Sequence, residues 1–568
     1  MLHSDRVAVG VSHPVSFWSG VAAVTIGVLL QLPMYYDARH RHFVLRGMAM
    51  DPEMMVGMAL MAVGIACVVH GLVARRSTEV SGRPLGDGIE VRALDGARIG
   101  PAHIRLMVVI ALAIAIDTLK PYTFTFILPG VAKEYDLSSP ANHVIGHPPV
   151  ALLPFFGILG TALGSFIWGY LGDKMGRRAS ILLASIVFIA SSACGAMPAF
   201  WENQAMCFIM GLAVGGFLPI AYSLLVETVP SARRGQVVVL VAGIGTAAGF
   251  LLASVSAHWL IPLFNWRIMW FLGIPTGLVL IALNQFIPES PRFLIARGRL
   301  EEARAIMRIF GAAVVEVAPE AGVTGSSVVH GPPVSSGDRG LFHRPFVWLT
   351  FALLLYGLAW GVVSFGFIVW LPIDIAGAHT AIDQSQITAI LSEAAVFSIP
   401  GAVFAAWLYG RSAKAAMVFF AAMCAASLVL FAVFGRQLTT SPSLLLVLLV
   451  ILLISMWGSI SVLCPYSAEV YPTRMRSSGA GIAAGASKLG GVLALVLSVL
   501  AISPPSLTGA AGLSAAPMVL AVVVIAAVGV ETAHKSLETV PVRSGILKRY
   551  HDRDFINLDP LMDPGARH

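Results

Sequence analysis

Charged side chains are scarce in this sequence. Asp, Glu, Lys and Arg make up 12% of its 568 residues, whereas hydrophobic residues make up 57%. Soluble proteins carry about 25% charged residues. The shortage excludes an ordinary water-soluble domain and predicts a chain that is solvated by lipid.

The motifs of common enzyme chemistries are also missing. The sequence has no Walker-type loop, no CxxC pair, no HExxH and no G-x-S-x-G elbow. Its five cysteines lie at scattered spacings in or beside apolar runs, which is typical of buried thiols rather than of disulfides or a metal site. We therefore expect no enzymatic activity, no cofactor and no bound metal.

Apolar segments dominate what is present, and each is long enough for a membrane-spanning helix of ~20 residues. Fourteen of them lie near residues 17–35, 53–74, 104–130, 149–171, 179–198, 204–226, 236–260, 266–287, 346–372, 386–409, 414–435, 443–465, 479–503 and 515–533. The first run could alternatively be a signal peptide, but only one base, Arg6, precedes it, and Asp5 offsets that base. The last twelve segments are numbered spans 1 to 12 below.

Lys and Arg concentrate in alternate loops between these twelve spans, including the loops 2–3 and 6–7. The positive-inside rule places those loops and both termini in the cytoplasm, which predicts a multi-pass protein of the bacterial inner membrane. Residues 36–52 carry three arginines and fall on the opposite side by this count. The net charge of +7 thus reflects membrane orientation, and we expect no nucleic-acid partner.

An internal repeat divides the chain. The motif E-x-x-P-x-x-x-R occurs twice, 242 residues apart, at Glu227, Pro230 and Arg234 and again at Glu469, Pro472 and Arg476. Glu289 and Glu531 are separated by the same 242 residues. Glu289 lies in the stretch PESPRFL, which also contains Arg292. A parallel repeat of this kind is typical of transporters that bind substrate between two halves.

The repeat predicts five regions along the chain. They are a two-helix extension with its linker at 1–103, a six-helix half at 104–290, a cytoplasmic linker at 291–345, a second six-helix half at 346–537 and a cytoplasmic tail at 538–568. Within the linker, residues 292–310 have the pattern of one amphipathic basic helix that lies along the membrane surface. Residues 323–340 are rich in Gly, Ser and Pro and predict a flexible connection.

The loop between spans 2 and 3 reads GYLGDKMGRR and matches the pattern G-x-L-x-D-[RK]-x-G-R-[RK]. Its matching residues are Gly169, Asp173, Lys174, Gly176, Arg177 and Arg178. This loop resembles the signature of the major facilitator superfamily. The stretches ETVPSARRG, PESPRFL and YSAEVYPTRMRSSG resemble its sugar-porter and aromatic-acid:proton symporter branches.

The resemblance implies an all-α polytopic membrane protein with a twelve-helix facilitator fold. The additional N-terminal pair of transmembrane helices brings the total to about 14 spans. The resemblance also implies that the loop latches one of two access states. Asp173 would cap a helix N-terminus across the interface between halves, with Arg177 and Arg178 as its counter-charges.

Two charged residues lie inside span 1. Asp117 and Lys120 are flanked by apolar residues near mid-membrane, where an ionisable group costs at least ~2.5 kcal/mol and usually faces a wet cavity. The resembling symporters carry the coupling proton on an acid in span 1, and in sugar porters an Arg that opens span 4 is its partner. Here Cys207 stands at that position.

We therefore hypothesise that Lys120 replaces the missing Arg, either as counter-ion to Asp117 or as a group that binds an anionic substrate. A purely structural pair that neutralises itself is the alternative. Further candidates for a cavity between the halves are Glu393 in span 8, Lys488 in span 11 and the aromatic residues Tyr356, Trp360 and Trp457. Location near an interface, snorkelling or core packing would explain each of them equally well.

These observations predict a secondary transporter that moves a small organic solute inward together with a proton. An aromatic or aliphatic carboxylate is the expected substrate. The alternatives are a sugar or polyol symporter, a proton-antiporting exporter and a transport-dead nutrient sensor. The expected partners are the substrate, protons and the lipid bilayer, and we expect a monomer.

Overall fold

The computed structural model describes residues 13–72, 97–139, 146–312, 341–343, 346–377, 384–438, 441–471, 476–500 and 506–532. Within these ranges the chain is helical and contains no strand beyond one isolated β-bridge, Ser138 with Pro149. Thirteen helices there are long and apolar enough to cross a membrane. The fourteenth predicted segment is the shorter apolar stretch Ile268–Asn284. The predicted all-α polytopic fold is confirmed.

The N-terminal extension consists of α1 (Pro14–Leu29), α2 (Leu32–Asp37) and α3 (Pro52–Leu72). Helices α1 and α3 pack closely because glycines face each other. A Cβ on Gly20 would lie 2.6 Å from the carbonyl oxygen of Gly64, and one on Gly27 would lie 2.6 Å from that of Gly57. Small residues at such contacts let membrane helices approach closely.

The first six-helix half follows the extension. Its spans 1 to 6 are formed by α4 (Pro101–Tyr135), α5 (Leu152–Met175), α6 (Arg177–Ala190), α7 (Phe200–Val214) with α8 (Phe217–Thr228), α9 (Arg234–Phe264), and α10 (Ile268–Phe271) with α11 (Gly273–Asn284). Both α1 and α3 contact α6, so the extension is docked on span 3.

The second half follows a linker that contains α12 (Pro291–Ala296) and α13 (Leu300–Ile309). Its span 7 consists of α14 (Val347–Gly361) and the turn Val362–Ile368, and α15 (Leu371–Gly377) follows beyond the end of this span. Spans 8 to 12 are formed by α16 (Gln384–Ser398) with α17 (Pro400–Arg411), α18 (Ala413–Leu438), α19 (Pro442–Glu469), α20 (Arg476–Val499) and α21 (Leu507–Val528). The two halves meet where α9 contacts α16, α17 and α19, and where α5 contacts α20.

The linker departs from the prediction. Residues 292–310 form two helices instead of one, because the chain breaks at Gly298, which has φ +74°. Only glycine adopts such a conformation readily. The side chains of Ala303, Ile306 and Met307 in α13 are buried, and the Phe310 ring lies 5.0 Å from the ring of His103 at the start of α4. The apolar face therefore packs on protein. Residues 323–340 lie outside the described ranges.

Equivalent hydrogen bonds recur in the two halves. Ser290 donates its hydroxyl to Glu227, and Thr532 donates to Glu469 Oε2 at 2.8 Å. These two contacts are related by the 242-residue offset of the motifs. The end of the bundle that carries Glu227 and Glu469 is called the loop face below. The opposite end, which carries Glu134 and Arg267, is called the distal face.

Candidate functional site

Asp117 lies in the interior of α4 and is only 2% exposed. Its Oδ2 atom makes no hydrogen bond to any described residue. A buried polar oxygen without a donor is destabilising unless it binds a proton or faces another charge. Asp117 therefore has the surroundings expected of a group that takes up and releases a proton.

The cation that acts on Asp117 is Lys488 of α20. The two side chains attract each other electrostatically across the boundary between the halves. Tyr222 of α8 lies within electrostatic range of Asp117 and also of Tyr122. The fold thus places Asp117 and Lys488, two residues singled out separately from the sequence, within electrostatic range of each other without an ion-pair contact.

Lys120 is not brought to Asp117. Its side chain is fully buried inside the first half, where Nζ donates to the carbonyl oxygen of Trp270 at 2.8 Å. Nζ also lies 5.2 Å from the ring centre of Phe188 and 5.3 Å from that of Trp270. This carbonyl and the two ring faces stabilise the ammonium group. The hypothesis that Lys120 is the counter-ion of Asp117 therefore finds no support in the contacts.

The surroundings of Lys120 do relate it to the missing Arg of span 4. Cys207 occupies that position, and the Cys207 thiol interacts electrostatically with Lys120. The Cys194 and Cys207 sulfurs are 3.5 Å apart beside it. Lys120 thus places a cation from span 1 next to the position at which the resembling sugar porters carry one on span 4.

An aromatic wall begins at Tyr122, which follows Asp117 on the same helix. The Phe250 ring of α9 is 5.0 Å from the Tyr122 ring and 5.5 Å from the Trp457 ring. Aromatic pairs at such distances prefer edge-to-face or tilted packing. Because Tyr122 is on α4 and Trp457 on α19, the wall spans both halves, and Trp457 was one of the predicted residues.

Three polar side-chain atoms lie at this aromatic wall. The Tyr122 hydroxyl lies close to Trp457 and to Ser364. Trp457 Nε1 and Ser364 Oγ are buried and make no well-formed hydrogen bond to the described residues. Ser364 lies in a π-helical turn, Val362–Ile368, and such turns are frequent at functional sites. The site therefore offers two buried donors without a well-formed hydrogen bond to the described residues, next to three rings.

The sequence analysis did not identify Tyr122, Tyr222, Phe250 and Ser364. Tyr122 and Tyr222 carried a weak signal, because each puts a hydroxyl in an otherwise apolar span. Phe250 and Ser364 carried none, because a phenylalanine or serine in a span is ordinary and a π-helical turn has no sequence pattern.

The remaining predicted cavity residues lie elsewhere. The Tyr356 hydroxyl donates to Met417 O at 3.3 Å, and Trp360 Nε1 donates to Met456 O at 2.8 Å, so both side chains connect helices inside the second half. Glu393 is exposed and shares its helix face with the exposed apolar residues Val396 and Phe397. That face of α16 points out of the bundle.

The signature loop is held by Glu289. Gly176 has φ +95°, and Glu289 accepts hydrogen bonds from the backbone N–H groups of Arg177 (2.8 Å) and Arg178 (3.3 Å) at the start of α6. Burial raises the pKa of the Glu289 carboxyl, and the N–H donors of Ser290, Arg177 and Arg178 oppose that shift. Glu289 therefore caps the N-terminus of α6 within the first half, whereas the cap across the interface that the resemblance implies for Asp173 concerns a side chain outside those that the structure describes.

The two arginines of the loop have separate partners. Arg177 Nη2 lies 3.6 Å from Glu227 Oε1, and Arg178 Nε donates to Asn284 Oδ1 at 3.2 Å. Of the other motif residues, Pro230 is buried and Arg234 Nε donates to Val229 O at 3.3 Å. Several predicted residues fall outside the described positions or side chains, namely Gly169, Asp173, Lys174, Arg292, Pro472 and Arg476.

Asp374 is a second buried acid, which the sequence analysis did not identify. It lies in α15, beyond the end of the span Val347–Ile368, and its Oδ1 makes no hydrogen bond to a described residue. Burial raises the pKa of this carboxyl from 3.8 to about 7. Helix α15 contacts α4, so the acid lies where the second half meets span 1.

We expect Asp374→Asn to remove part of the pH dependence of stability. A raised pKa means that the folded state holds the proton more tightly, so Asp374 stabilises the fold at low pH and this contribution is lost as the pH rises towards 7. Thermal unfolding in detergent at about pH 5 and about pH 8 would show a smaller difference in midpoint for Asp374→Asn than for wild type. Asp51→Asn, at an exposed position, controls for the lost charge. Equal differences in wild type and Asp374→Asn would contradict the prediction.

Comparison with known proteins gives a consistent set of relatives. The family profile described as "Sugar (and other) transporter" matches residues 151–543. The niacin transporter NiaP of Acinetobacter baylyi is 28% identical over 462 residues, which cover 79% of this chain and 99% of that protein. The putative metabolite transport protein YdjK of Escherichia coli is 28% identical over 403 residues, which cover 67% of this chain and 84% of that protein.

A solved structure shares the fold. The proton:xylose symporter XylE bound to 6-bromo-6-deoxy-D-glucose aligns with a TM-score of 0.59 at 17% identity, over 77% of this chain and 98% of that chain. At this level of identity the likeness concerns the fold alone. Together with the family profile, it agrees with the resemblance stated from the motifs.

Proposed function

Because this chain belongs to the sugar (and other) transporter family of the major facilitator superfamily, and is therefore a multi-pass secondary transporter, we propose that it carries an aromatic carboxylate together with a proton. The observation that supports this most directly is one charge pair, Asp117 with Lys488, placed next to the wall of Tyr122, Phe250 and Trp457. A cation and flat rings are the groups that recognise such an anion.

The residues of the site have distinct roles in binding the substrate. Lys488 binds the carboxylate, and the three rings pack against the substrate ring. Trp457 Nε1 and Ser364 Oγ, which lie close to the Tyr122 hydroxyl but make no well-formed hydrogen bond to the described residues, donate to polar atoms of that ring. A ligand that satisfies buried donors is favoured over one that leaves them unpaired.

Asp117 couples the proton to the substrate through Lys488. While Asp117 is ionised, its negative charge attracts the Lys488 ammonium group and competes with the substrate carboxylate. A proton on Asp117 releases Lys488 for the substrate carboxylate, so proton and substrate favour each other's binding. The loaded site is then close to neutral, which lowers the cost of moving it through the low-dielectric interior when the halves rock.

The names of the relatives favour an aromatic acid over a sugar. One relative is a niacin transporter, and niacin is a pyridine carboxylic acid. The structural neighbour is a xylose symporter, which makes a sugar or polyol the second candidate. The cation at the site favours the acid, since a neutral sugar gains nothing from an ammonium group paired with Asp117. We further propose that the loop face lies in the cytoplasm, as the distribution of Lys and Arg predicts.

A substitution at Lys488 tests the proposed substrate class. Lys488→Met should weaken nicotinate binding about ten- to a hundred-fold, because a hydrogen bond to a charged group contributes about 1.5–3 kcal/mol. Nicotinamide has the same ring without the carboxylate and should bind equally to both proteins. Equilibrium binding of each compound to the purified protein measures the difference.

Lys133→Met is the matched control, since Lys133 is an exposed lysine of α4. It should leave both affinities unchanged. The proposal is wrong if Lys488→Met leaves nicotinate binding intact, or if it weakens nicotinamide binding to the same extent.

A further inference from the structure

A second cavity, of about 480 Å³, lies at the distal face. It forms between the loop that follows α2 and the first half of the transporter. Its lining includes Arg46, Met48 and Met50 of that loop, Tyr135 at the end of α4, and Phe200 and Glu202 at the start of α7. The cavity lies at the C-terminal end of α4, which is ~27 Å beyond Asp117 in the middle of the helix at 1.5 Å per residue.

The loop that supplies Arg46 is fixed to the transporter. Glu134 Oε1 accepts hydrogen bonds from the backbone N–H groups of Leu45 (3.0 Å) and Arg46 (3.3 Å). The Arg46 guanidinium donates once, from Nη1 to the carbonyl oxygen of Glu134 at 3.1 Å. An arginine has five N–H donors in a planar fork. Most donors of this anchored cation are therefore available to a ligand.

Charge and shape at the cavity favour a flat anion. Glu202 also lines the cavity but forms no ion pair with Arg46; its Oε2 accepts a hydrogen bond from the backbone N–H of Ala199 at 2.9 Å and caps the start of α7. The Tyr135 and Phe200 rings lie 5.5 Å apart and are tilted against each other. Two rings and two flexible methionines beside a guanidinium suit a carboxylate on an aromatic ring.

We propose that this cavity is a second binding site for an aromatic carboxylate, in which Arg46 binds the carboxylate and Phe200 and Tyr135 contact the ring. This inference rests on the substrate class proposed above. The distal face meets external substrate first in the proposed orientation, so the site would hold substrate before it reaches Lys488. The extension that supplies Arg46 precedes the region that the family profile matches.

Binding stoichiometry tests the second site. Equilibrium dialysis of radiolabelled nicotinate against the full-length protein in detergent should give two bound molecules per wild-type chain and one per Arg46→Gln chain. Arg46→Gln keeps the backbone hydrogen bonds to Glu134, so the loop should remain in place. Phe200→Ala, which removes a ring and leaves the charge, should weaken the same site about ten-fold or more. Lys488→Met should retain the Arg46-dependent molecule.

The outcomes separate this inference from the proposed function. One molecule per wild-type chain, or two per Arg46→Gln chain, overturns the second site and leaves the central site standing. Loss of one molecule in Arg46→Gln with no change in Lys488→Met supports the second site while the proposed role of Lys488 fails. Nicotinate that binds with the same stoichiometry to Arg46→Gln and Phe200→Ala as to wild type also overturns the inference.

Discussion

The Asp117→Asn protein is expected to exchange substrate across the membrane without accumulating it. Asn cannot bind or release a proton, and its amide leaves Lys488 permanently free for the substrate carboxylate. With one proton per substrate, wild type can accumulate up to about ten-fold for each unit of pH difference, because 1.36 kcal/mol corresponds to a factor of ten. The accumulation ratio of Asp117→Asn should stay near one at every pH difference.

Two assays on the same proteoliposomes measure this separation. Uptake of radiolabelled nicotinate against an imposed pH gradient reports accumulation, and counterflow between equal pools reports exchange. Glu393→Gln is the control, because Glu393 is an acid in another span whose helix face points out of the bundle. It should accumulate like wild type. Accumulation by Asp117→Asn equal to that of wild type would remove Asp117 from the coupling mechanism.

Loss of Glu134 is expected to have the largest effect on stability. Glu134 and Arg267 form an ion pair of 2.7 Å in which the side chains are 2% and 0% exposed. Trp266 Nε1 donates to the same carboxylate at 2.8 Å, and the loop of the extension donates through Leu45. Removing one partner leaves the other charge buried and unpaired, which costs about 3–5 kcal/mol.

Glu134→Ala should therefore lower the free energy of unfolding by about that amount and release the extension from the distal face. Chemical denaturation in detergent measures the first effect, and limited proteolysis between α2 and α3 measures the second. Glu302→Ala removes an exposed partner of Arg299, with side chains 44% and 40% exposed, and should cost only about 0–1 kcal/mol. Similar losses in the two variants would contradict the prediction.

The fold could be predicted because its signals are local and repeated. The shortage of charge, the apolar segments and the loop 169–178 each indicate a polytopic transporter without reference to tertiary structure. The residues Asp117, Lys488 and Trp457 could be singled out for a similar reason, since charged groups and indole N–H groups are conspicuous within apolar spans.

The partners of those residues could not be predicted. Asp117 and Lys120 are close in sequence, so the sequence favoured a pair. In the structure the Lys120 side chain extends into the first half, where Nζ donates to the Trp270 carbonyl and lies near two aromatic rings. Lys488 lies within electrostatic range of Asp117 only because the halves pack together, and nothing in the local sequence indicates that proximity. Glu393 was also a candidate for the cavity. That its face of α16 points out of the bundle became evident only from the packing of the neighbouring helices.

The acid that caps the start of α6, after the signature loop, also could not be predicted from the sequence. The motif draws attention to Asp173 inside the loop and gives no sign that Glu289, distant in sequence, accepts hydrogen bonds from the N–H groups of Arg177 and Arg178. Hydrogen bonds of this kind depend on how the end of span 6 returns to the loop face. A repeat offset can suggest that Glu289 matters, but it cannot say which groups it binds.

Proton-coupled transport of an aromatic carboxylate is tested most directly by the pH dependence of wild-type uptake. Nicotinate uptake would be measured in proteoliposomes with an alkaline interior, with no gradient, and with the gradient collapsed by a protonophore. Protein-free vesicles control for passage of the neutral acid through lipid. We predict accumulation only with the intact gradient, approaching about ten-fold per pH unit. Protein-dependent uptake that reaches the same level in all three conditions would contradict the account.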